Sequence, residues 1–521
     1  MPISAKEHWQ LSKPAITGQN GLVASQHYLA SDAGAKILQM GGNAVDAAIA
    51  TGLMLGTVEP WMSGIGGGGY MTVYQAKQNR VQIVEFGMQA PLASSPADYP
   101  LADEGTNASD SFNWPAVTND TNIHGPLAVA IPGYLKGMGL ASQAFGSLPF
   151  SKLIEPACQQ AELGLPLDWY SCSKINQLAR GLRQYKTTTE TYLSDGLPPT
   201  AHAEGLLSYM PLGSLATTYR QIQAEGPESF YTGTLSQKIV QDLNNAGSKI
   251  SQEDLNQYQA VITDPLFLRY REHDFYVSGE LTAGPSIIHA LTRLNSLMPQ
   301  PPDTPDENSY RAFAESLYSS YENRLLNLGA GQGHSGNTSH ICCTDQEGNM
   351  VSLTQTIMSG FGSRIMLPDS GVLLNNGMMW FDPRPGGPNS VVPGRKPLCN
   401  MCPVVGRKSN GDWFALGACG GRKIFPAVFQ LASFIMDFNM DAGQAAHQPR
   451  IDVSGTEMLS MMSDLPENIA DLLKSHYPEH RVRANGVSPN LFALPQLILQ
   501  SEGQAQGACF IPSPHAKVSA A

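Results

Sequence analysis

The feature that most constrains the fold is an apolar segment that no surface helix could carry. Residues 44–55 are apolar nearly all round, which predicts a helix covered on every side. Asn43 is the expected N-cap of this helix. Gly41-Gly42 is the expected end of a preceding helix, so that residues 18–60 are interpreted as helical. The segment therefore belongs to the interior of a layered protein.

A glycine run at residues 64–69 follows this helix and leads into two alternating segments. Residues 70–75 and 81–86 alternate apolar and polar side chains, which predicts neighbouring strands of an antiparallel pair. The run lacks the Lys-Ser/Thr pair of a phosphate-binding loop. We therefore interpret it as a place where backbone segments pack closely.

In the rest of the chain, the predicted secondary structure changes at residue 338 from mostly helical to mostly strand. Helical periods dominate residues 134–245, with loops expected at 92–126 and 327–337. The predicted strands after this point are residues 339–344, 350–356, 371–374 and 413–416, and the predicted helices are 426–437 and 442–448, before an αβ stretch at 464–484. This mixture predicts an α+β sandwich with helices outside and sheets inside.

Composition excludes several classes of function. The chain has 521 residues, of which 42% are hydrophobic, enough for a large core. Its net charge of −12 argues against a general nucleic-acid or anionic-membrane binder. No apolar run reaches the roughly 18 residues of a membrane span, and residues 1–10 lack the apolar core of a secretory signal. The eight cysteines are too sparse for a disulfide scaffold, so a cytoplasmic protein is expected.

Two short motifs match metal-binding patterns, but each lacks a feature that a metal site needs. His476 and His480 match an H-x-x-E-H pattern, yet Pro478 would break the helix that must carry both. Cys399 and Cys402 form a C-x-x-C with no second pair at zinc-ribbon spacing. No metal ion and no cofactor is expected.

The glycine-rich loop that ends at Asn337 delivers Thr338 to the start of a strand, which alone is an ordinary feature. The order of motifs around it is specific: Gly41-Gly-Asn-Ala-Val-Asp-Ala-Ala-Ile49, Val58-Glu-Pro60, Ser63-Gly-Ile-Gly-Gly-Gly-Gly-Tyr70, Ile131-Pro-Gly133, Leu373-Leu-Asn-Asn376, Lys396-Pro-Leu398 and Gly420-Gly421. Over about residues 15–485 the chain resembles the γ-glutamyltranspeptidase family of N-terminal nucleophile hydrolases.

This resemblance implies a four-layer αββα sandwich that is made as one chain and cleaves itself. The cut would fall between Asn337 and Thr338, giving pieces 1–337 and 338–521 that stay associated as a heterodimer within a single domain. The Thr338 hydroxyl would then attack a substrate amide, with the freed α-amine as base. Thr356 would hydrogen-bond to the nucleophile, and the N–H groups of Gly420 and Gly421 would form the oxyanion hole. Water or an amine would accept the acyl group.

The residues that bind the γ-glutamyl group in the family are replaced here. Gly87 stands at the position of the carboxylate-binding arginine, Met358 at that of an asparagine, and Trp380 at that of the aspartate that binds the amine. Cys399 and Asn400 replace a pair of serines. Such a pocket, with Met379 beside Trp380, offers almost no charged partner for an amino-acid zwitterion.

Three arginines could restore a carboxylate site from another direction: Arg364, Arg395 and Arg422. Three functions follow from the sequence. The first is a self-processing threonine amidohydrolase or acyltransferase that cleaves a small-molecule amide and is not specific for γ-glutamyl groups. The second is a true γ-glutamyltranspeptidase or glutathione hydrolase. The third is a non-catalytic binding protein on the same fold.

Overall fold

Two seven-stranded antiparallel sheets lie face to face in the computed structural model, and helices cover both outer faces. The structure describes residues 11–102, 115–328, 337–454, 458–484, 486, 491–501 and 503–521. Strands and helices are numbered in chain order. This is the four-layer αββα sandwich that the resemblance implies.

Sheet I contains the strand that carries Thr338. Its spatial order is β19 (Lys517–Ala520), β2 (Gly21–Ser25), β10 (Asn337–Asp345), β11 (Met350–Met358), β3 (Gly68–Gln75), β4 (Arg80–Phe86) and β7 (Val261–Thr263). Sheet II has the order β1 (Ile16–Gly18), β18 (Gln504–Cys509), β17 (Leu494–Ser501), β13 (Trp413–Cys419), β12 (Val404–Arg407), β9 (His273–Val277) and β8 (Leu266–Tyr270). Smaller sheets are formed by β5 (Leu165–Leu167) with β6 (Ser208–Met210), and by β14 (Ile451–Asp452), β15 (Leu459–Met462) and β16 (His480–Arg483).

The helices form the two outer layers. Those on the sheet I side are α1 (Tyr28–Gln39), α2 (Ala44–Val58), α3 (Tyr134–Phe145), α4 (Phe150–Leu153), α5 (Glu155–Leu163), α6 (Trp169–Leu182), α7 (Lys186–Tyr192), α8 (Leu215–Glu225), α9 (Gly233–Ala246) and α10 (Gln252–Gln257). Those on the sheet II side are α11 (Gly284–Leu297), α12 (Glu307–Asn327), α13 (Ile424–Met436), α14 (Ala442–His447) and α15 (Glu467–His476).

Helix α2 is the apolar helix that the sequence predicts, and every one of its residues is buried. The Asn43 side chain accepts from the N–H groups of Val45 and Asp46, while the Asp46 carboxylate accepts from the Asn43 N–H. This capping box satisfies N–H groups that the helix itself leaves without partners. Helix α2 packs between sheet I and the outer helices, so its lack of a polar face is explained.

Two local predictions are wrong. Within the segment 18–60 that was predicted to be helical, Gly21–Ser25 is strand β2, and all five of its residues are buried. Its partners are β10 and β19, which lie hundreds of residues later in the chain, so no local pattern specifies it. Residues 371–374 do not form a strand of a sheet, because Leu373 and Leu374 make only isolated bridges.

Other predictions are confirmed, or they concern segments that lie partly outside the described residues. The alternating segments after the glycine run are the antiparallel pair β3 and β4. Of the predicted loop 327–337, residues 329–336 lie outside the described residues, Asn327 ends α12 and Asn337 begins β10. The described part of the predicted loop 92–126 contains only short 3-10 turns, and residues 103–114 lie outside.

The glycine run packs backbone against backbone, as predicted. A Cβ atom at Gly67 would lie 2.2 Å from the carbonyl oxygen of Thr356, and one at Gly69 would lie 2.3 Å from that of Thr354. A Cβ at Gly66 would lie 2.2 Å from the carbonyl oxygen of Leu373. Side chains cannot occupy these places, so the glycines allow β3 to approach β11 and fix the position of Thr356.

Candidate active site

Thr338 is the second residue of β10 and only 5% exposed. Its strand lies between β2 and β11 in the middle of sheet I. Asn337 pairs with Met358 and Ser339 pairs with Gln355, so two residues of β11 face the single residue Thr338. A bulge of this kind redirects a side chain and is common beside active sites.

The Thr356 hydroxyl contacts the carbonyl oxygen of the residue before Thr338. Thr356 Oγ1 donates a hydrogen bond to the carbonyl oxygen of Asn337, and it accepts one from the Met358 N–H at 2.7 Å. Met358 has φ of 86°, a left-handed conformation that is uncommon for residues other than glycine. The Met358 N–H therefore occupies a lone pair of the hydroxyl, whose single proton is left for the Asn337 carbonyl.

A chain of hydrogen bonds fixes the strand around Thr338. Ser339 Oγ and Ser63 Oγ are 2.9 Å apart. Gln355 Nε2 donates to Ser63 Oγ and to the carbonyl oxygen of Gly52 in helix α2, each at 2.9 Å. This chain ties β10 and β11 to the segment just before the glycine run and to the buried helix.

Gly420 and Gly421 form the turn between β13 and α13. Their φ angles are 138° and 58°, both in the region that favours glycine. A Cβ at Gly417, three residues earlier, would lie 2.2 Å from Cε1 of His340, two residues after Thr338. The turn therefore lies at the Thr338 end of β10, and N–H groups at the start of a helix have no partners within that helix.

Three of the five residues that stand at the γ-glutamyl-binding positions of the family lie in one apolar cluster. Met358, Met379, Trp380 and Cys399 are all buried in it. Burial raises the pKa of the Cys399 thiol to about 12, so this side chain is neutral. We call this group the acyl cluster, and its other buried members are Tyr70, Ile83, Met88, Ala90, Tyr99, Val117, Ile123, Ala130, Met378, Phe381, Val391 and Met401.

The space beside Gly87 is restricted. A Cβ at this position would lie 2.9 Å from the hydroxyl oxygen of Tyr70. The Tyr258 hydroxyl donates to the carbonyl oxygen of Gly87 at 2.6 Å, which holds the backbone in place. The space of an arginine side chain is thus limited by a buried tyrosine of the acyl cluster.

Asn400 is held by the protein itself. Nη2 of the buried Arg324, from α12, donates to Asn400 Oδ1 at 3.2 Å and to the carbonyl oxygen of Cys399 at 2.6 Å. Arg324 Nη1 donates to the carbonyl oxygen of Thr282 at 3.0 Å. The amide oxygen of Asn400 is therefore already engaged.

The three candidate arginines differ in their surroundings. Arg395 is exposed on a loop. Arg422 is buried beside the Gly420-Gly421 turn, and its carbonyl oxygen accepts from the Tyr321 hydroxyl at 2.5 Å. Arg364 is half-buried, and its guanidinium rests against Gly181 of α6, where a Cβ would lie 2.8 Å from Cζ.

Sequence reasoning missed two asparagines that join the loops around the site. Asn375 Nδ2 donates to the carbonyl oxygens of Gly66 at 2.7 Å and Ala130 at 2.8 Å. Asn376 Oδ1 accepts from the Ser359 N–H at 2.9 Å, and its Nδ2 donates to the Ile123 carbonyl oxygen at 2.8 Å. Both belong to the Leu373–Asn376 motif, so the signal was present, but their role depends on contacts distant in sequence.

Glu59 is a second missed residue, just after α2. It is 3% exposed, and no described residue hydrogen-bonds to its Oε2. Burial raises the pKa of Glu59 to about 8, partly offset by the charge of Lys174. The nearby Cys419, whose Sγ accepts from Gln26 Nε2, directly precedes the Gly420-Gly421 turn. A carboxyl group whose pKa lies near neutral pH is thus buried close to the Gly420-Gly421 turn.

The histidine and cysteine motifs do not form a metal site within the described ranges. His476 ends α15, whereas His480 begins β16, so they do not share a helical face. In the part of the chain that the structure describes, no group of three His, Cys, Asp or Glu side chains is arranged to hold a metal ion. Among these same residues, no helix combines the length and apolarity needed to cross a membrane.

Comparisons with known proteins find matches over most of the chain. The model of the family Gamma-glutamyltranspeptidase matches residues 30–332 and 328–509. Over 512 residues the chain is 29% identical to the acylase ACY 1 proenzyme of Pseudomonas sp. (strain V22), covering 91% of this chain and 89% of that one. Over 516 residues it is 28% identical to the glutathione hydrolase proenzyme of Bacillus subtilis (strain 168), covering 88% and 85%.

Among solved structures, the cephalosporin acylase of Bacillus halodurans has a TM-score of 0.84 at 22% identity, covering 100% of this chain and 99% of that chain. The fold and the family match define an N-terminal nucleophile hydrolase, an enzyme that cleaves amide bonds. The chain belongs to the gamma-glutamyltranspeptidase family.

Proposed function

We propose that this protein is a self-cleaving threonine amidohydrolase that acts on a small-molecule amide whose acyl group is not γ-glutamyl. The observation that carries the proposal is the hydrogen bond from the Thr356 hydroxyl to the carbonyl oxygen of Asn337, the residue before Thr338. A donor on that oxygen polarises the bond to be cut and stabilises the negative charge that develops when the carbonyl is attacked.

Self-cleavage then follows from ordinary acyl chemistry. The Thr338 hydroxyl oxygen adds to the Asn337 carbonyl carbon, the C–N bond breaks, and the Thr338 nitrogen takes up the proton. Water hydrolyses the resulting ester and leaves Asn337 with a carboxylate and Thr338 with a free α-amine. This produces the pieces 1–337 and 338–521.

In the mature enzyme the same hydroxyl attacks the substrate. The α-amine of Thr338 serves as the base, since α-amino groups titrate near pH 8. The amine of the substrate leaves, and water or another amine accepts the acyl group. The N–H groups of the Gly420-Gly421 turn are proposed as the oxyanion hole, where one donor contributes about 10²–10³ in rate.

The acyl cluster supports a substrate other than a γ-glutamyl compound. Charged groups that leave water need charged or hydrogen-bonding partners. Met358, Met379 and Trp380 provide buried apolar side chains instead, and Tyr70 limits the space beside Gly87. We infer that an apolar segment of the acyl group binds here. Of the two relatives, the acylase name agrees better with this inference than the glutathione hydrolase name.

The first test is the covalent state of the purified protein. Intact mass and a denaturing gel are expected to show two pieces that meet at Asn337 and Thr338. Thr338→Ala should remain one chain, because it lacks the attacking hydroxyl, whereas Thr338→Ser should still be cut. Thr344→Ala, at a buried threonine of the same strand, is the matched control and should also be cut. An uncut wild-type chain would contradict the proposal and favour a binding protein.

The second test compares acyl groups. The cleaved enzyme is assayed with 4-nitroanilides of phenylacetic, hexanoic and γ-glutamic acids. We expect the apolar acyl groups to give kcat/KM at least about tenfold above the γ-glutamyl compound, which corresponds to about 1.4 kcal/mol of discrimination. Preference for the γ-glutamyl anilide would identify a true γ-glutamyltranspeptidase instead.

A further inference from the structure

One of the three candidate arginines lies close to the bond that is proposed to be cut. A Cβ at Gly360 would lie 2.5 Å from Leu178 Cδ1 and 2.9 Å from Asn337 Nδ2. Leu178 is three residues before Gly181 on α6, and the guanidinium of Arg364 rests against Gly181. Residues three apart on a helix are neighbours on one face, about 5–6 Å apart. The guanidinium is therefore about one helical turn along α6 from Leu178, whose side chain and the Asn337 amide both lie beside Gly360.

The fold gives Arg364 a defined position. Its φ is 65°, which is uncommon for a residue with a side chain. Its carbonyl oxygen accepts from the Thr188 hydroxyl of α7 at 2.6 Å, and the preceding Ser363 carbonyl accepts from the Gly125 N–H at 2.9 Å. Because Gly181 has no side chain, the guanidinium lies directly on the α6 backbone.

The guanidinium makes no hydrogen bond or ion pair with another described residue. The nearest charged or titratable groups are Asp120, His124 and Tyr185, and His124 Nδ1 is 2.7 Å from the Tyr185 hydroxyl oxygen. Burial and the charge of Arg364 lower the pKa of His124, so the imidazole is neutral. The five N–H donors of Arg364 are thus available to a ligand.

A second observation comes from the turn beside Arg364. Asn122 is 2% exposed, and neither Nδ2 nor Oδ1 of its amide has a partner among the described residues. A buried amide with no hydrogen bond is destabilising, so its persistence needs an explanation. Asn122 lies between Asp120 and His124 in a turn that reaches both the acyl cluster and Arg364, since Ile123 belongs to the acyl cluster and the charge of Arg364 acts on His124.

We propose that the slot formed by Arg364, Gly181 and the 122–125 turn binds a carboxylate of the substrate. This inference rests on the proposed function. An arginine and a buried amide that have no partner among the described residues provide donors that suit a carboxylate. The substrate is then an amide with an apolar part on the acyl cluster and a carboxylate about one helical turn away. This carboxylate belongs either to the acyl group or to the leaving amine.

The test uses matched pairs of amides that differ only in a carboxylate or a carboxamide. One pair bears the group on the acyl side, as glutaric acid mono(4-nitroanilide) and its carboxamide. The other bears it on the amine side, as the phenylacetyl amide of 5-amino-2-nitrobenzoic acid and its carboxamide. In the wild type, at least one pair should show a higher kcat/KM for the carboxylate, and the pair that does so locates the group.

Two variants remove the slot in different ways. Arg364→Gln removes the charge, and Gly181→Ala keeps the charge but places a Cβ where the guanidinium lies. Each should reduce the ratio of kcat/KM for carboxylate over carboxamide by about 10- to 100-fold, as loss of a charged hydrogen bond does. Arg395→Gln, at an exposed arginine, is the matched control for net charge and should keep the ratio of the wild type.

Calorimetric titration of the purified full-length protein with the same compounds separates this inference from the proposed function. Tighter binding of a carboxylate that both slot variants abolish supports the slot even when no amide is turned over. Turnover of apolar amides with no carboxylate preference in either pair would overturn the slot and leave the proposed function intact. A carboxylate preference that survives in both variants would also overturn it.

Discussion

At the scale of single residues, Glu59 is the side chain whose ionisation depends most clearly on the fold. Its pKa is raised by burial from 4.5 to about 8. The folded protein therefore keeps a proton that the unfolded chain loses, and this contribution to stability disappears as the pH rises through the raised pKa. Two buried histidines act in the opposite sense at lower pH, because burial lowers the pKa of His27 and of His340 from 6.5 to about 3.

The first prediction compares the wild type with Glu59→Gln between pH 6.5 and 8, because the histidines with lowered pKa contribute equally to both proteins. Relative to Glu59→Gln, the free energy of unfolding of the wild type should fall by about 2 kcal/mol across this window. The difference is measured as the change of the thermal midpoint with pH in each protein. Glu204→Gln, at an exposed glutamate, serves as the control. Identical slopes in the wild type and Glu59→Gln would show that Glu59 is ionised in the folded state.

At the scale of strands and helices, the distance between the two sheets depends on glycines as much as on apolar side chains. Gly417 in β13 faces His340 in β10, and a Cβ there would lie 2.2 Å from Cε1 and 2.5 Å from Nε2 of the ring. His340 Nδ1 is held 2.9 Å from Thr354 Oγ1, which limits its freedom to move.

The second prediction follows from this contact. Gly417→Ala should destabilise the protein by about 1–3 kcal/mol or more, because the added methyl overpacks the space between the sheets. Combining it with His340→Ala should cost less than the sum of the two single changes. The measurement is urea unfolding of the two single variants and the double variant. Gly64→Ala, where the nearest atom would be 3.9 Å away, controls for the loss of a glycine, and additive effects would argue against the contact.

Strands and helices also show how much of the fold can be predicted from the sequence. Helix α2, its Asn43 cap and the pair β3–β4 were predicted because hydrophobic period and capping are local. The sequence does not predict strand β2, because its partners lie far along the chain, and it does not predict β17, β18 and β19 for the same reason. Thr338 and Thr356 could be named from ordered motifs. The position of Arg364 against Gly181 could not, because it depends on how α6 packs against a distant loop.

At the scale of the whole molecule, the segments before and after Thr338 are interleaved. In sheet I, β10 and β11 lie between β2 and β3, and β19 pairs with the other edge of β2. In sheet II, β12, β13, β17 and β18 lie between β1 and β9. Cutting the chain at Thr338 therefore removes one covalent bond but leaves all these strand pairs in place.

The third prediction is that the two pieces do not separate under native conditions. Both should elute together on size-exclusion chromatography, at the volume of the uncut Thr338→Ala protein. In urea they should separate in the same transition that abolishes the far-ultraviolet circular dichroism signal, because neither piece retains a complete sheet. Separation of the pieces at urea concentrations below this transition would contradict the interleaved arrangement.

The interleaved sheets also determine whether the protein can refold after it has unfolded. Before the cut, one chain supplies both sets of strands to each other at the high effective concentration of an intramolecular reaction. After the cut, refolding becomes a second-order reaction between two fragments with unpaired strand edges, which favour aggregation. The working lifetime of the mature molecule would then depend on how slowly it unfolds rather than on its equilibrium stability. If the chain is cut as proposed, the bond before Thr338 is needed for folding only once.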